Sequence, residues 1–108
     1  MARISTDQQV VTLINVFTVA PEHQQRLIDL LVEATEQVIS RLPGYISANI
    51  HRGLDGTRVV NYAQWRSVAD FEAMLRHPEA RPHFEAAWRL ATNEPHLYEV
   101  VYTHSAAG

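Results

Sequence analysis

Residues Val59 to Ser67, reading Val-Val-Asn-Tyr-Ala-Gln-Trp-Arg-Ser, constrain the fold of this chain more than any other stretch. Their alternation is that of a β-strand, whose side chains point to opposite faces with period 2. Val59, Asn61, Ala63 and Trp65 then share one face, and Val60, Tyr62 and Gln64 share the other. The first face is apolar except for a carboxamide and an indole N–H two steps apart along it. A pair of that kind suits the holding of one oxygen atom of an aromatic ligand.

The segments around this strand follow a recognisable order. Val10 to Val19 is β-branched with interleaved polar residues, a strand pattern. Pro21 suits a first helical turn, where its missing N–H costs nothing. Leu27, Leu30, Leu31, Ala34, Val38 and Leu42 then follow the spacing of an amphipathic helix, ended by Pro43-Gly44. Tyr45 to Arg52 reads as the second strand, with Gly53-Leu54-Asp55-Gly56 as a hairpin loop. Ser67 and Asp70 resemble a capping box that opens a helix carrying Phe71, Met74 and Leu75 inward, interrupted at Pro78. A further helix places Phe84, Ala87, Trp88 and Ala91 on one stripe. Asn93-Glu94-Pro95 breaks that pattern, and Leu97 to Thr103 reads as the last strand.

The order β-α-β-β-α(α)-β predicts an α+β, ferredoxin-like split βαβ fold: a four-stranded antiparallel sheet with helices on one face. Ile14, Val16, Val60 and Tyr62 would lie on the other face. An apolar patch of that kind on a small domain marks an interface, so a C₂ homodimer through the open sheet face is expected. Residues 10–104 form the domain, flanked by a short polar N-terminal segment, 1–9, expected to be flexible, and a C-terminal tail, 105–108.

Composition narrows the function classes. With 108 residues the chain is one domain, and about 65% of its unfolded surface should be buried on folding. Twelve acidic and nine basic residues, net charge −3 and no charged run, give no basic stripe for nucleic acid. The absence of cysteine excludes disulfides, thiolate chemistry and Cys-ligated metals. No stretch is apolar and long enough for a membrane helix, and a cytoplasmic protein is expected. Gly53 and Gly56 are too few and wrongly placed for a phosphate loop, so nucleotide and flavin sites have no support. The six histidines lack the i, i+4 spacing of a helical metal site.

Two stretches, Leu42-Pro43-Gly44-Tyr45-Ile46-Ser47-Ala48 and Asp55-Gly56-Thr57 running into Val59 to Trp65, resemble the antibiotic biosynthesis monooxygenases. These are dimeric α+β barrels, and the likeness is greatest to the actinomycete anthrone-type enzymes. The resemblance implies oxidation of an activated aromatic, an anthrone- or hydroquinone-like polyketide intermediate, by O₂ with no cofactor and no metal. It implies that Asn61 and Trp65 line the substrate pocket, with Asn15 on the first strand as a further candidate. Taken alone, Asn61 reads as an amide satisfied by neighbouring backbone; the resemblance makes it a pocket residue.

The chain departs from the family at two points. Phe71 stands where other members carry a tyrosine, and the pocket arginine found near the position of His83 or Phe84 is absent, Arg81 being the nearest. Haem-degrading relatives place a histidine and a tryptophan at about the positions of Phe84 and Met74, which does not favour haem here.

In a cofactor-free oxygenase the substrate anion itself reduces O₂, so the protein has to favour the anion and exclude water. Asn61, Trp65 and Asn15 are the candidate catalytic residues, through hydrogen bonds to the developing oxyanion. Trp65 is also expected to supply a flat wall. Phe71, Met74, His83, Phe84 and Trp88 are the candidate pocket residues, with His83 the first choice for a base. Tyr45, Tyr98 and Tyr102 remain equivalent. Two alternatives share the same fold: a dimeric aromatic-binding protein without turnover, and a polyketide cyclase.

Overall fold

Four strands, β1 (Val11–Val19), β2 (Tyr45–Arg52), β3 (Arg58–Trp65) and β4 (Ala91–Tyr98), form one antiparallel sheet in the order β2-β3-β1-β4. They are seen in a computed structural model that describes residues 10–107; the expected N-terminal segment 1–9 lies outside the described residues. Helices α1 (Gln24–Gln37), α2 (Val68–Leu75) and α3 (Arg81–Trp88) connect the strands and pack on one face. This is the split βαβ arrangement expected from the sequence. Among the described residues no helix is long and apolar enough to cross a membrane.

The faces divide as the alternation requires. Leu13, Phe17 and Val19 of β1 and Val59, Ala63 and Trp65 of β3 are buried under the helices. They belong to two clusters. One joins Leu13, Ala63 and Trp65 to Phe71 and Met74 of α2. The other joins Phe17, Val19 and Val59 to Leu27 of α1 and Ala87 of α3. On the opposite face Ile14, Val16, Val60 and Tyr62 are half-buried, with no helix over them. A cleft there is bordered by Thr12, Ile14 and Tyr62 together with the segment from Tyr98 to Ser105.

The C-terminal third departs from the reading of the sequence. Ala91 opens β4 rather than closing a helical stripe, and Asn93-Glu94-Pro95 lies inside the strand rather than breaking it. The reason is position in the sheet. β4 is an edge strand, where a proline removes no necessary ladder bond. The strand accordingly ends at Tyr98, not at Thr103. The first helix is also shorter than its apolar spacing suggests. It ends at Gln37, and a separate 3₁₀ turn, Ile39–Arg41, carries the chain to Pro43.

Ser67 caps α2, accepting from the Asp70 N–H at 3.1 Å. The reciprocal half of a capping box is missing. The Asp70 carboxylate instead accepts from the Ser67 hydroxyl at 2.9 Å and from Arg66 at 2.8 Å. Gly44, at φ +83°, faces that carboxylate so closely that a Cβ would overlap it. Its carbonyl accepts from the Arg66 N–H at 2.7 Å, joining the start of β2 to the end of β3.

Hydrogen bonds from Arg66 and then from Ser67 hold the Asp70 carboxyl below its ordinary range. A depressed carboxylate contributes stability above the ordinary range, and that stability is lost as pH falls through the depressed value. Asp70→Asn should therefore unfold at lower urea than the wild-type chain at neutral pH, with the gap closing in strong acid. Ser67→Ala should cost about 1 kcal/mol in the same titration at neutral pH.

Candidate active site

The register of β1 against β3 sets Asn15 directly opposite Asn61. Both side chains point under the helices, where a sheet carrying three short helices is incompletely filled. The result is a cavity of about 700 Å³ that borders both apolar clusters, within the range of about 300–1,000 Å³ typical of small-molecule sites. All eight residues singled out in the sequence meet there. Asn15, Asn61 and Trp65 line it from the sheet, Phe71 and Met74 from α2, and His83, Phe84 and Trp88 from α3.

Asn61 Oδ1 is buried and has no hydrogen-bond partner. An unsatisfied buried carbonyl costs roughly 1–3 kcal/mol, and with almost no exposed surface of its own this oxygen meets a cavity ligand only if the amide turns. A half-turn of the amide exchanges oxygen and nitrogen with little change of shape. The same side chain is therefore suited to accept from a phenol or to donate to a phenolate.

Asn15 is held differently. Asn93 of β4 donates from Nδ2 to Asn15 Oδ1 at 3.3 Å. That bond occupies the acceptor end of the Asn15 amide and leaves its N–H₂ as the end available to a ligand. Carboxamides from β4, β1 and β3 thus form a polar row across the cavity floor. Asn93 was missed in the sequence because it sits in an apparent breaker triplet. Its signal was the polar residue in register with the floor, which needs the strand assignment first.

Trp65 is only 1% exposed. Tyr45 meets it edge-on with ring centroids 5.7 Å apart, and Phe71 meets it at 6.4 Å and 68°. So tight a packing leaves little of the indole for the cavity, which corrects the expectation of a broad flat wall. Trp88, 46% exposed, and Phe84 present the open aromatic surface, their rings 6.1 Å apart at i, i+4 spacing on α3. Phe71 contributes an apolar brace to this packing.

Of the three tyrosines that sequence left equivalent, Tyr45 lines the cavity. Burial pushes its phenol above the ordinary value, partly offset by a hydrogen bond to the Ala48 backbone. Tyr45 therefore keeps its proton at neutral pH and is a donor rather than a base. Tyr98 and Tyr102 border the cleft on the open face instead. His83, half-buried, and His96, on β4, line the cavity. Arg81 reaches its rim.

A sheet of this order, covered on one side and holding an aromatic-sized cavity floored by amides, defines a ferredoxin-like α+β protein with a small-molecule site. Residues 10–90 match the family model described as antibiotic biosynthesis monooxygenase. The chain is 47% identical to the tetracenomycin-F1 monooxygenase of Streptomyces glaucescens over 106 residues, 98% of this chain and 95% of that one. It therefore belongs to the antibiotic biosynthesis monooxygenase family.

Two solved structures agree. The monooxygenase ActVA-Orf6 of Streptomyces coelicolor, in complex with nanaomycin D, superposes with a TM-score of 0.81 at 26% identity, covering 95% of this chain and 96% of that one. SnoaB, a cofactor-independent oxygenase from Streptomyces nogalater, gives 0.74 at 28% identity, covering 88% and 96%.

The packing of Trp65 separates two substitutions. Trp65→Ala should destabilise the chain by about 3–5 kcal/mol, whereas Trp65→Phe should cost much less and keep a folded cavity without the indole N–H. Urea denaturation followed by circular dichroism measures both.

Proposed function

We propose that this chain is a cofactor-independent monooxygenase that oxidises an anthrone- or hydroquinone-like aromatic polyketide with O₂, acting as a cytoplasmic homodimer. The observation that carries the reading is the buried, partnerless Asn61 oxygen beside Asn15 on the floor of an apolar cavity. The likeness to a tetracenomycin monooxygenase and to a cofactor-independent oxygenase supports the same reaction class.

An anthrone enolises and loses its O–H proton to give a delocalised anion, which transfers an electron to O₂. Recombination forms a C–O bond, and the resulting hydroperoxide loses water. The benzylic CH₂ becomes C=O: one oxygen atom enters the carbonyl and the other leaves as water with both hydrogens. No external reductant is needed.

In this scheme the amides of Asn61 and Asn15 and the indole N–H of Trp65 donate to the substrate oxyanion. Donors fixed in advance in an apolar cavity stabilise developing charge by about 3 kcal/mol each. His83, half-buried and facing the cavity, is the candidate acceptor of the first proton. Trp88 and Phe84 stack on the fused rings.

Purified protein freed of metal and flavin should consume O₂ with dithranol, an anthrone, and form the quinone in equal amount. Asn61→Ala should lower the rate about 100-fold, and Trp65→Phe should lower it while leaving the fold intact. Rates in both variants equal to wild type would refute the assignment.

The dimer reading is supported by the half-buried apolar face of Ile14, Val16, Val60 and Tyr62, which carries no helix. Sedimentation equilibrium should give twice the 12.3 kDa chain mass. A double change, Val16→Glu with Val60→Glu, should give the monomer.

A further inference from the structure

The two amides on the cavity floor are not held alike. The Asn61 oxygen is buried and has no partner, so no hydrogen bond at that end keeps the amide from turning. Asn15 has such a bond, donated to its Oδ1 by Asn93 Nδ2 at 3.3 Å. A donor speeds a reaction to the extent that it is fixed before charge develops. Asn15 is therefore the fixed donor of the floor, and what fixes it comes from a neighbouring strand.

The register shows why that task falls to Asn93. On the covered face Leu13 and Phe17 flank Asn15 along β1, and Asn61 and Pro95 stand opposite it on β3 and β4. Proline brings no side-chain donor. Asn93 is paired with Phe17, which sets it diagonally from Asn15, within side-chain reach in a sheet. Of the β4 residues on this face, Ala91, Asn93, Pro95 and Leu97, it is the one with a polar side chain.

We propose that Asn93 is a positioning residue: it fixes the Asn15 amide with its N–H₂ toward the cavity and so makes Asn15 a donor to the substrate oxygen. The floor then selects aromatic ligands that offer it an anionic or carbonyl oxygen rather than a hydroxyl proton. This inference rests on the reading of the cavity as an aromatic oxygenase pocket and names the residue that sets its polarity. The chemistry of position 93 decides the outcome. Leucine removes the donor. Aspartate is an acceptor only; it draws the Asn15 N–H₂ toward itself and turns the oxygen to the cavity.

The test compares wild type, Asn93→Leu and Asn93→Asp, each also in an Asn15→Ala background. Two readouts are used: the ionisation of bound 2-hydroxyanthraquinone, followed by its colour, and the oxidation of dithranol. The titratable groups lining the cavity, Tyr45, Arg81, His83 and His96, are common to the whole set. The bound phenol should ionise at a higher pH in Asn93→Leu than in wild type, and at a higher pH still in Asn93→Asp. Asn93→Leu should lower kcat about tenfold with KM within about twofold, a part of the loss that follows removal of an oxyanion donor. In the Asn15→Ala background Asn93→Leu should have no effect, and Asn93→Asp should show only the direct influence of its charge.

An equal effect of Asn93→Leu in both backgrounds overturns the proposal, because position 93 then acts on the ligand or the fold and not through Asn15. Wild-type ionisation in Asn93→Asp also overturns it, because Asn15 would then be donating to position 93. If the phenol responds as expected but wild type does not oxidise dithranol, the oxygenase reading fails and the positioning role stands. If dithranol is oxidised but neither readout responds to position 93, the positioning role fails and the oxygenase reading stands. If the quinone does not bind wild type, the pocket reading and the positioning role fall together.

Discussion

The antiparallel register of β1 on β3 is the constraint on which the site depends. It brings Asn15 and Asn61 side by side, with Leu13 beside Ala63 and Phe17 beside Val59 on the same face. Side chains alternate strictly, so a slip of one residue would turn that strand's whole set to the other face. On β3 such a slip would present Val60, Tyr62 and Gln64 to the helices and expel Asn61 and Trp65. Burial of the large apolar members of this face fixes the register, and the amides are positioned as a consequence. The polar floor thus owes its geometry to its apolar neighbours.

The cavity follows from the same packing. Protein interiors are normally filled to crystal-like density, yet here two apolar clusters are closed separately and a space remains between sheet and helices. Trp65 strengthens the first cluster, locked between Tyr45 and Phe71. That locking makes it a rigid support for any ligand contact it offers, and it moves the broad stacking role to Trp88 and Phe84. A residue that reads from sequence as a wall becomes a brace. Phe71 completes the brace with a ring that brings no polar group of its own.

Much of this was legible in the sequence because it rests on local periodicity. The face assignments of β1 and β3, the Leu27–Ala34 stripe, the hairpin at Gly53 to Gly56 and the Ser67 cap are all written in neighbouring residues. The edge strand was not. Pro95 argues against a strand only if that strand is central, and edge position is a property of the assembled sheet. Misplacing β4 hid Asn93 and so hid the bond that orients Asn15. The near-complete burial of Trp65 was equally out of reach, since it depends on residues brought together from separate elements.

The central claim is that the amide floor favours an anion inside an apolar cavity. Burial alone would do the reverse, raising the pKa of a bound phenol. A hydroxyanthraquinone that changes colour on ionisation, bound but unable to react with O₂, reports the sign directly. Titrated in complex with the wild-type protein, its phenol should ionise at a pH lower than in water by about one unit or more, each unit being about 1.4 kcal/mol of preference for the anion. In Asn61→Ala the shift should vanish or reverse. A phenol whose pKa is raised on binding to wild type would contradict the account.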